Sequence, residues 1–199
     1  MIYHAHGFVD GAYLRQLATK AKQSFVNPQQ LVYNIVNSRE IQSWGSVRAS
    51  QMSMALTRMI YYDARPDDDS DVDEQLKEYW DVVELLNDTE LGFGSMRGGT
   101  KRRPPRQKGV DTLIAVDMLV GAFTKLFSVA VLIAGDADFV PVISEVKRRG
   151  VMVVVGANAS SIADDLKRAA DRFFPIGPGL EADKFPPLTV TGRVFSHPD

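Results

Sequence analysis

The sequence predicts an α/β domain in which helices cover both faces of a mostly parallel central sheet. Short apolar runs typical of strands alternate along the chain with amphipathic segments typical of helices, which is the order of a doubly wound fold. The runs Val129–Ala134 and Val151–Val155 are almost unbroken and rich in valine and isoleucine. Such strands are typical of parallel sheets that are buried on both faces. We therefore expect a three-layer α/β/α sandwich.

The individual elements follow from the spacing of apolar residues. Apolar runs predict strands around Phe8–Val9, Met59–Tyr62, Val129–Ala134 and Val151–Val155. Helical patterns predict helices over Ala12–Lys22, Gln75–Leu86, Asp111–Phe127 and Asp164–Phe173. The segments Ala64–Asp73 and Gly92–Lys108 are interpreted as loops, the second with a short strand near Gly94–Arg97.

The length of 199 residues suits a single domain with its own core. We expect this domain to occupy residues 1–174 and a tail rich in proline and glycine to occupy residues 175–199. Within the tail, the partial alternation of Leu188–Phe195 is compatible with an edge strand, with a segment that wraps the surface or with one that reaches a partner.

Composition excludes several classes of protein. The chain has no cysteine, which rules out disulfides, thiolate zinc sites and a cysteine nucleophile. Its first residues lack the pattern of a signal peptide, and charged residues interrupt its most apolar stretch, residues 110–139. We therefore expect a cytoplasmic protein with no membrane span.

Charge is unevenly distributed, although the net charge is only −2. Seven acidic residues lie between Asp63 and Glu74, and this block is most simply a solvated loop. A second block is wholly basic: Lys101, Arg102, Arg103, Arg106 and Lys108. Beside a catalytic cleft, the second block would attract phosphate groups.

Aspartates follow three of the predicted strands. They are Asp10, Asp63 and the pair Asp136 and Asp138. Because ligands of open α/β sheets bind outside the carboxyl ends of the strands, these aspartates fall where a site is expected. Asp111 falls at the start of a predicted helix at the same edge. Asp117 comes six residues later, on another side of that helix or one to two turns deeper.

Grouped carboxylates repel one another, and burying one of them unpaired costs several kcal/mol. A divalent cation removes that cost. Mg²⁺ and Mn²⁺ prefer oxygen ligands and keep several waters, so a few aspartates suffice to hold them. A metal held in this way can activate a water molecule and stabilise a phosphodiester that undergoes in-line displacement.

Simpler roles compete with metal binding at each position. Asp10 with Gly11 is compatible with a tight turn, and Asp111, Asp136 or Asp138 with a helix N-cap. For Asp63 we favour the solvated loop. Asp117 is harder to explain, because a helix that is apolar all round has little solvated face. Several aspartates at one edge of one sheet favour a metal site over separate caps.

Three segments, taken in order, resemble a known family. They are Phe8–Leu14, Lys108–Asp111 with Asp117, and Gly135–Phe139. These segments resemble the NYN domain, and more narrowly its bacterial LabA-like branch, within the PIN-like nuclease superfamily. The resemblance covers residues 8–173. It implies a PIN-like α/β/α sandwich and a ribonuclease that depends on Mg²⁺ or Mn²⁺ and leaves a 5′-phosphate.

The resemblance also implies roles for individual residues. Asp10, Asp111, Asp136 and Asp138 match the acidic positions of the family and would ligate the metal, while Asp117 would complete the acidic pocket. The basic residues Lys101, Arg102, Arg103, Arg106 and Lys108 would guide single-stranded RNA by its phosphates, unless they form a loop with no ligand. Many relatives have asparagine where this chain has Tyr13, which we interpret as core packing rather than base stacking. His4 and His6 are interpreted as structural.

Two other functions compete with that of a ribonuclease. A phosphatase of haloacid-dehalogenase type needs Asp-x-Asp after its first strand, whereas this chain has Asp10-Gly11-Ala12. A binding module of the same fold would hold RNA or a protein without cutting, since fold does not determine function. A homodimer is also compatible with the resemblance, although no segment marks an interface.

Overall fold

A computed structural model of the chain describes residues 2–23, 25–43, 53–66, 72–97, 106–180, 186–190 and 193–194. The strands are β1 (Ile2–Asp10), β2 (Ser53–Arg65), β3 (Thr89–Arg97), β4 (Arg106–Lys108), β5 (Val129–Ile133), β6 (Met152–Ala157), β7 (Arg172–Pro175), β8 (Thr189–Val190) and β9 (Arg193–Val194). The helices are α1 (Gly11–Lys20), α2 (Pro28–Asn37), α3 (Arg39–Gln42), α4 (Glu74–Glu84), α5 (Val110–Phe123), α6 (Val140–Arg148) and α7 (Asp164–Ala169). A 3-10 turn at Ala137–Phe139 precedes α6.

Seven of the described strands form one sheet in the order β4-β3-β2-β1-β5-β6-β7. All neighbours in it are parallel except β3 and β4, which are antiparallel. After β1 the chain builds outward through β2 and β3, and then returns through α5 to place β5 on the other side of β1. The carboxyl ends of β1 and β5 therefore flank a topological switch point, where open α/β sheets bind ligands.

Helices cover both faces of the sheet, as predicted. One core packs under α1, α2 and α4 and includes Leu17, Val32 and Trp80. The other packs under α5, α6 and α7 and includes Ile114, Ile143 and Leu166. Every residue of β5 and β6 is buried, because each of these strands has a helical layer on both sides. The three-layer sandwich with a mostly parallel sheet is confirmed.

Several elements differ from the sequence-based expectation, among them α3 and β4, which the sequence does not predict, and α5, which ends at Phe123 and not at Phe127. Helix α2 was not predicted, although Asn27 caps it by accepting the Gln30 N–H at 2.9 Å and Pro28 opens its first turn. The helix expected over Asp164–Phe173 stops at Ala169, and the residues after it form β7 beside β6. The expectation is wrong in that last part, because sheet pairing overrides a short helical pattern.

The described part of the segment beyond residue 175 packs against the domain. Ile176 and Leu188 are buried in the core under α2, and the Asn27 N–H donates to the Pro186 carbonyl at 2.8 Å. Strands β8 and β9 pair with each other and not with the main sheet. The described residues of Leu188–Phe195 therefore add no edge strand to the main sheet. Among the described helices, none combines the length and apolar character needed to cross a membrane.

Candidate active site

The first aspartate of the site lies where β1 becomes α1. Asp10 caps α1, and its Oδ1 accepts the Tyr13 N–H at 3.1 Å. The next residue has to be glycine, because a Cβ on Gly11 would lie 2.5 Å from the Tyr61 hydroxyl of β2. Burial, followed by the charges of Asp111 and Asp63, raises the pKa of Asp10 to about 6. Asp10 therefore does form the turn between β1 and α1. Its ionised carboxylate is nevertheless destabilised by burial and by neighbouring negative charges.

The second pair of aspartates follows β5, across the switch point from Asp10. Asp136 caps the 3-10 turn, and its Oδ1 accepts the Asp138 N–H at 3.0 Å. The side chains of Asp136 and Asp138 are exposed. The backbone approaches α1 closely here, since a Cβ on Gly135 would lie 2.6 Å from the Tyr13 ring. The cap interpretation holds for Asp136, and α1 and the end of β5 are packed together.

Asp111 reaches the same place from α5. It lies in the first turn of that helix, whose N-cap is Gly109 in a left-handed conformation with φ of +89°. Asp111 is therefore not the cap. Partial burial raises its pKa, and the charges of Asp136 and Asp138 raise it further. Mutual repulsion thus links four carboxylates, which we call the acidic edge: Asp10, Asp111, Asp136 and Asp138.

The acidic edge borders an open cleft of about 590 Å³. Asp10 and Asp136 line this carboxyl-end cleft together with the uncharged side chains of Gln16 and Ser161. Its position at the switch point is the usual place for a ligand in this class of fold. The Tyr13 ring also lines the cleft, while its hydroxyl accepts the Asn158 N–H at 2.9 Å. Tyr13 packs against both cores, as the packing interpretation expected.

The donor set of the acidic edge fits a hard divalent cation. Its side chains are all carboxylates, and none of the ion pairs among described residues involves them. A capping hydrogen bond uses one of about four lone-pair positions on a carboxylate, so Asp10 and Asp136 retain acceptor capacity. Within the described ranges, however, no three acidic or histidine side chains converge closely enough to hold a metal directly. Mg²⁺ commonly binds through one or two carboxylates and several waters, so it does not require three converging protein ligands.

Asp117 does not join the acidic edge. Six residues along α5 carry it about 9 Å from Asp111, toward the amino ends of the strands. Its Oδ2 accepts the Tyr62 hydroxyl at 2.8 Å, which explains a polar side chain in an apolar helix. It lines a second cleft of about 590 Å³, here called the amino-end cleft, together with His4, His6 and Arg58. The expectation that Asp117 completes the acidic pocket is therefore wrong, because this residue lies at the amino-end cleft.

Asp63 contradicts the solvated-loop interpretation. Its side chain is 0% exposed, and Arg15 of α1 forms an ion pair with it. The Trp80 Nε1–H also donates to its Oδ2 at 2.8 Å. Burial is possible because the guanidinium and the indole replace water around the carboxylate. No local signal predicts this, since Arg15 lies 48 residues earlier in the chain.

The basic block is only partly within the described residues. Lys101, Arg102 and Arg103 fall outside them. Arg106 and Lys108 lie at the two ends of β4, and the Lys108 side chain is exposed. Only Gly109 separates β4 from α5, so Lys108 is three residues from Asp111. The chain thus leads from the basic strand directly to the acidic edge.

Together, the fold and the acidic edge define a doubly wound α/β domain with a carboxylate cluster at its switch point. The NYN domain family matches residues 8–177, and the chain belongs to this family, which is part of the PIN-like nuclease superfamily. No curated protein matches the chain. Among solved structures, the chain is similar to VPA0982, a protein of unknown function from Vibrio parahaemolyticus RIMD 2210633. The two share 17% identity with a TM-score of 0.62, over 92% of this chain and 96% of the other, which supports the fold alone.

Proposed function

We propose that this protein is a metal-dependent ribonuclease of the LabA-like branch, acting in the cytoplasm on single-stranded RNA. The observation that carries the proposal is the acidic edge: four carboxylates at one switch point, none of them in a described ion pair, with the pKa values of Asp10 and Asp111 raised by burial and by neighbouring carboxylates. Because these carboxylates belong to an NYN domain of the PIN-like nuclease superfamily, metal-dependent cleavage of RNA is the role that we propose for them. A domain that only binds has no evident need for such a costly cluster.

Asp10, Asp111, Asp136 and Asp138 are the residues that would hold Mg²⁺ or Mn²⁺, some of them through water. When bound, such a metal activates a water molecule and stabilises charge on the phosphodiester. The protein's own contribution is positioning. The caps at Asp10 and Asp136 hold those two carboxylates on either side of the switch point. Metal-free, both are expected to resist the approach of a phosphate, so catalysis requires the cation.

RNA would approach along β4 and the basic block that precedes α5. Lys108 is the described cation closest in sequence to the acidic edge, and its exposed ammonium suits a phosphate contact. Such contacts are insensitive to base sequence, so binding would weaken steeply with salt. Gln16 and Ser161, which line the same cleft, would contact the sugar or base next to the scissile phosphate.

A second candidate is an RNA-binding or protein-binding regulatory module with weak or no nuclease activity. One observation favours it: within the described residues, no three potential ligands converge on a metal position. The two functions differ in what the acidic edge does, since a binding module would not lose its activity with the metal.

The decisive assay is cleavage of end-labelled single-stranded RNA with Mn²⁺, with Mg²⁺ and with EDTA. The ribonuclease is expected to cut only with metal, and the labelled ends are expected to show a 5′-phosphate product. Asp136→Asn keeps the capping oxygen but removes the charge, so it is expected to abolish cleavage while remaining folded. RNA binding without cleavage under all three conditions, unchanged in Asp136→Asn, would favour the binding module.

A further inference from the structure

Asp63 is the one buried charged residue in the described part of the chain. Four groups donate hydrogen bonds to its carboxylate. They are the Arg15 guanidinium, through both terminal nitrogens, Trp80 Nε1 at 2.8 Å, the Ala64 N–H at 2.8 Å and Gln107 Nε2 at 3.4 Å. A carboxylate has about four lone-pair positions, so these donors saturate it. Asp63 is thus unavailable to a metal, although it lies near the carboxyl end of β2, one residue beyond the register partner of Asp10.

Arg15, one of the hydrogen-bond donors to Asp63, connects this residue to Asp10. Arg15 lies on α1, which begins directly after Asp10, and its Nη1 also donates to the Tyr61 hydroxyl at 3.1 Å. That hydroxyl occupies the space a Cβ on Gly11 would need. The first turns of α1 are therefore held against β2 by an ion pair and by close packing. The position of the Asp10 carboxylate depends on both.

Gln107, another of these donors, connects Asp63 to β4 and α5. Gln107 is the middle residue of β4, a three-residue edge strand that pairs only with β3 in the described sheet. Its bond to Asp63 crosses β3 and joins β4 to β2. Two residues later Gly109 begins α5, whose first turn includes Asp111. Beside its three-residue pairing with β3, this contact gives β4 an additional tertiary restraint.

We propose that Asp63 is a positioning residue that sets the separation of the α1 and α5 ends of the acidic edge and fixes the basic strand β4 beside them. The inference rests on the proposed function for its catalytic consequence, but its structural part stands alone. Asp63 acts through Arg15 on Asp10, and through Gln107 on Lys108 and Asp111. It contacts neither metal nor RNA.

Gln107→Ala tests the β4 side without unpairing Arg15. Amide hydrogen exchange in β4 is expected to accelerate about three- to tenfold, since a hydrogen bond to a charged group is lost. KM for single-stranded RNA is expected to rise by a similar factor, with kcat within about twofold of wild type, because the metal ligands are retained. The matched control is Arg58→Gln, which breaks the exposed Arg58–Glu90 pair (2.6 Å) between β2 and β3 at the other end of the sheet. It is expected to change neither value.

Asp63→Asn tests both sides together. It is expected to weaken Mn²⁺ binding and to lower kcat, each by about tenfold or more, because α1 and α5 both lose their anchor. Exchange is measured without RNA or metal, so a wild-type protein that fails to cut RNA would refute the ribonuclease and leave this test intact. The inference is overturned if β4 of Gln107→Ala exchanges like wild type, or if folded Asp63→Asn binds Mn²⁺ with wild-type affinity. If Asp63→Asn does not fold, the exchange of Gln107→Ala decides alone.

Discussion

Two clefts of about 590 Å³ open at opposite ends of the central sheet, and they differ in how their charges are balanced. In the amino-end cleft, Arg58 pairs with Glu90 at 2.6 Å and the Tyr62 hydroxyl donates to Asp117 at 2.8 Å. In the carboxyl-end cleft, the carboxylates of Asp10 and Asp136 receive capping N–H groups but take part in none of the described ion pairs. The two clefts therefore have the same volume but differ in whether their charged side chains have partners.

The direction of the pKa shifts makes the same distinction. At the amino end, burial and then the charge of Arg58 lower the pKa of His6 to about 4, so its ring is neutral near pH 7. At the carboxyl end, burial and neighbouring carboxylates raise the pKa of Asp10 to about 6, yet it is still mostly ionised at pH 7. The charges of the amino-end cleft have partners, whereas the carboxylates of the carboxyl-end cleft have no cation among the described ion pairs. Uncompensated charge, rather than cleft size, identifies the candidate site.

The largest expected difference between the clefts is in catalysis. Asp10→Asn is expected to lower the rate of RNA cleavage by about 100-fold or more, since a metal site is worth several kcal/mol of transition-state stabilisation. Asp117→Asn, the matched variant at the amino end, is expected to stay within about threefold of wild type, because Asn still accepts from the Tyr62 hydroxyl. Single-turnover cleavage with Mn²⁺ measures both. If both variants lost the same fraction of the cleavage rate, the assignment of catalysis to the carboxyl-end cleft would be contradicted.

The same two variants are expected to change stability in opposite directions when EDTA is present. A pKa raised from 3.8 to about 6 means that the folded state binds more protons between these values, so stability falls as pH rises through this window. At pH 7 the full cost remains, and Asp10→Asn, which keeps the cap, is expected to gain about 2 kcal/mol. Asp117→Asn loses a charge-assisted hydrogen bond and is expected to lose about 1 kcal/mol. Urea unfolding at pH 7 tests both signs, and a destabilised Asp10→Asn would show that its charge is compensated.

The smallest expected effect concerns His6. Its pKa is lower in the folded state than the usual 6.5, so the unfolded state binds more protons between pH 6.5 and 4 and stability falls as pH drops through this window. After allowance for its partial exposure, this loss is about 1–2 kcal/mol. His6→Phe preserves ring packing against Phe127, whose centroid is 4.9 Å away, but does not titrate. The difference in unfolding free energy between wild type and variant should grow from pH 7 to pH 4. A difference that stays constant with pH would show that the pKa of His6 is not lowered in the folded state.

The fold was largely predictable from local patterns. Continuous valine and isoleucine mark β5 and β6, because strands covered on both faces have no polar side. Strand β1 is longer than predicted, since His4 and His6 interrupt its apolar pattern at the amino end. Helix α2 was missed despite Asn27 and Pro28, a cap and first-turn pair that marks helix starts.

The candidate site was predictable where it depends on strand ends. Asp10 and Asp136 follow directly from the sheet, because parallel strands bring their carboxyl ends to one edge. Asp63 satisfies the same rule and yet serves packing, since its environment is supplied by Arg15 and Trp80 from distant parts of the chain. The resemblance places Asp117 in the acidic pocket, whereas six residues, nearly two turns of α5, separate it from Asp111. Sequence position therefore identifies aspartates that are candidates for metal binding. Only the tertiary structure shows which of them already have an ion-pair or hydrogen-bond partner.

The central claim is that the acidic edge binds a divalent cation, and calorimetric titration with Mn²⁺ tests it most directly. Wild type and Asp117→Asn are expected to bind Mn²⁺ saturably with similar affinity, whereas Asp136→Asn is expected to bind at least tenfold more weakly. Bound Mn²⁺ should also stabilise wild type against unfolding, by about 2.7 kcal/mol at 100 times its dissociation constant. Absence of binding to wild type, or equal binding to wild type and Asp136→Asn, would contradict the claim.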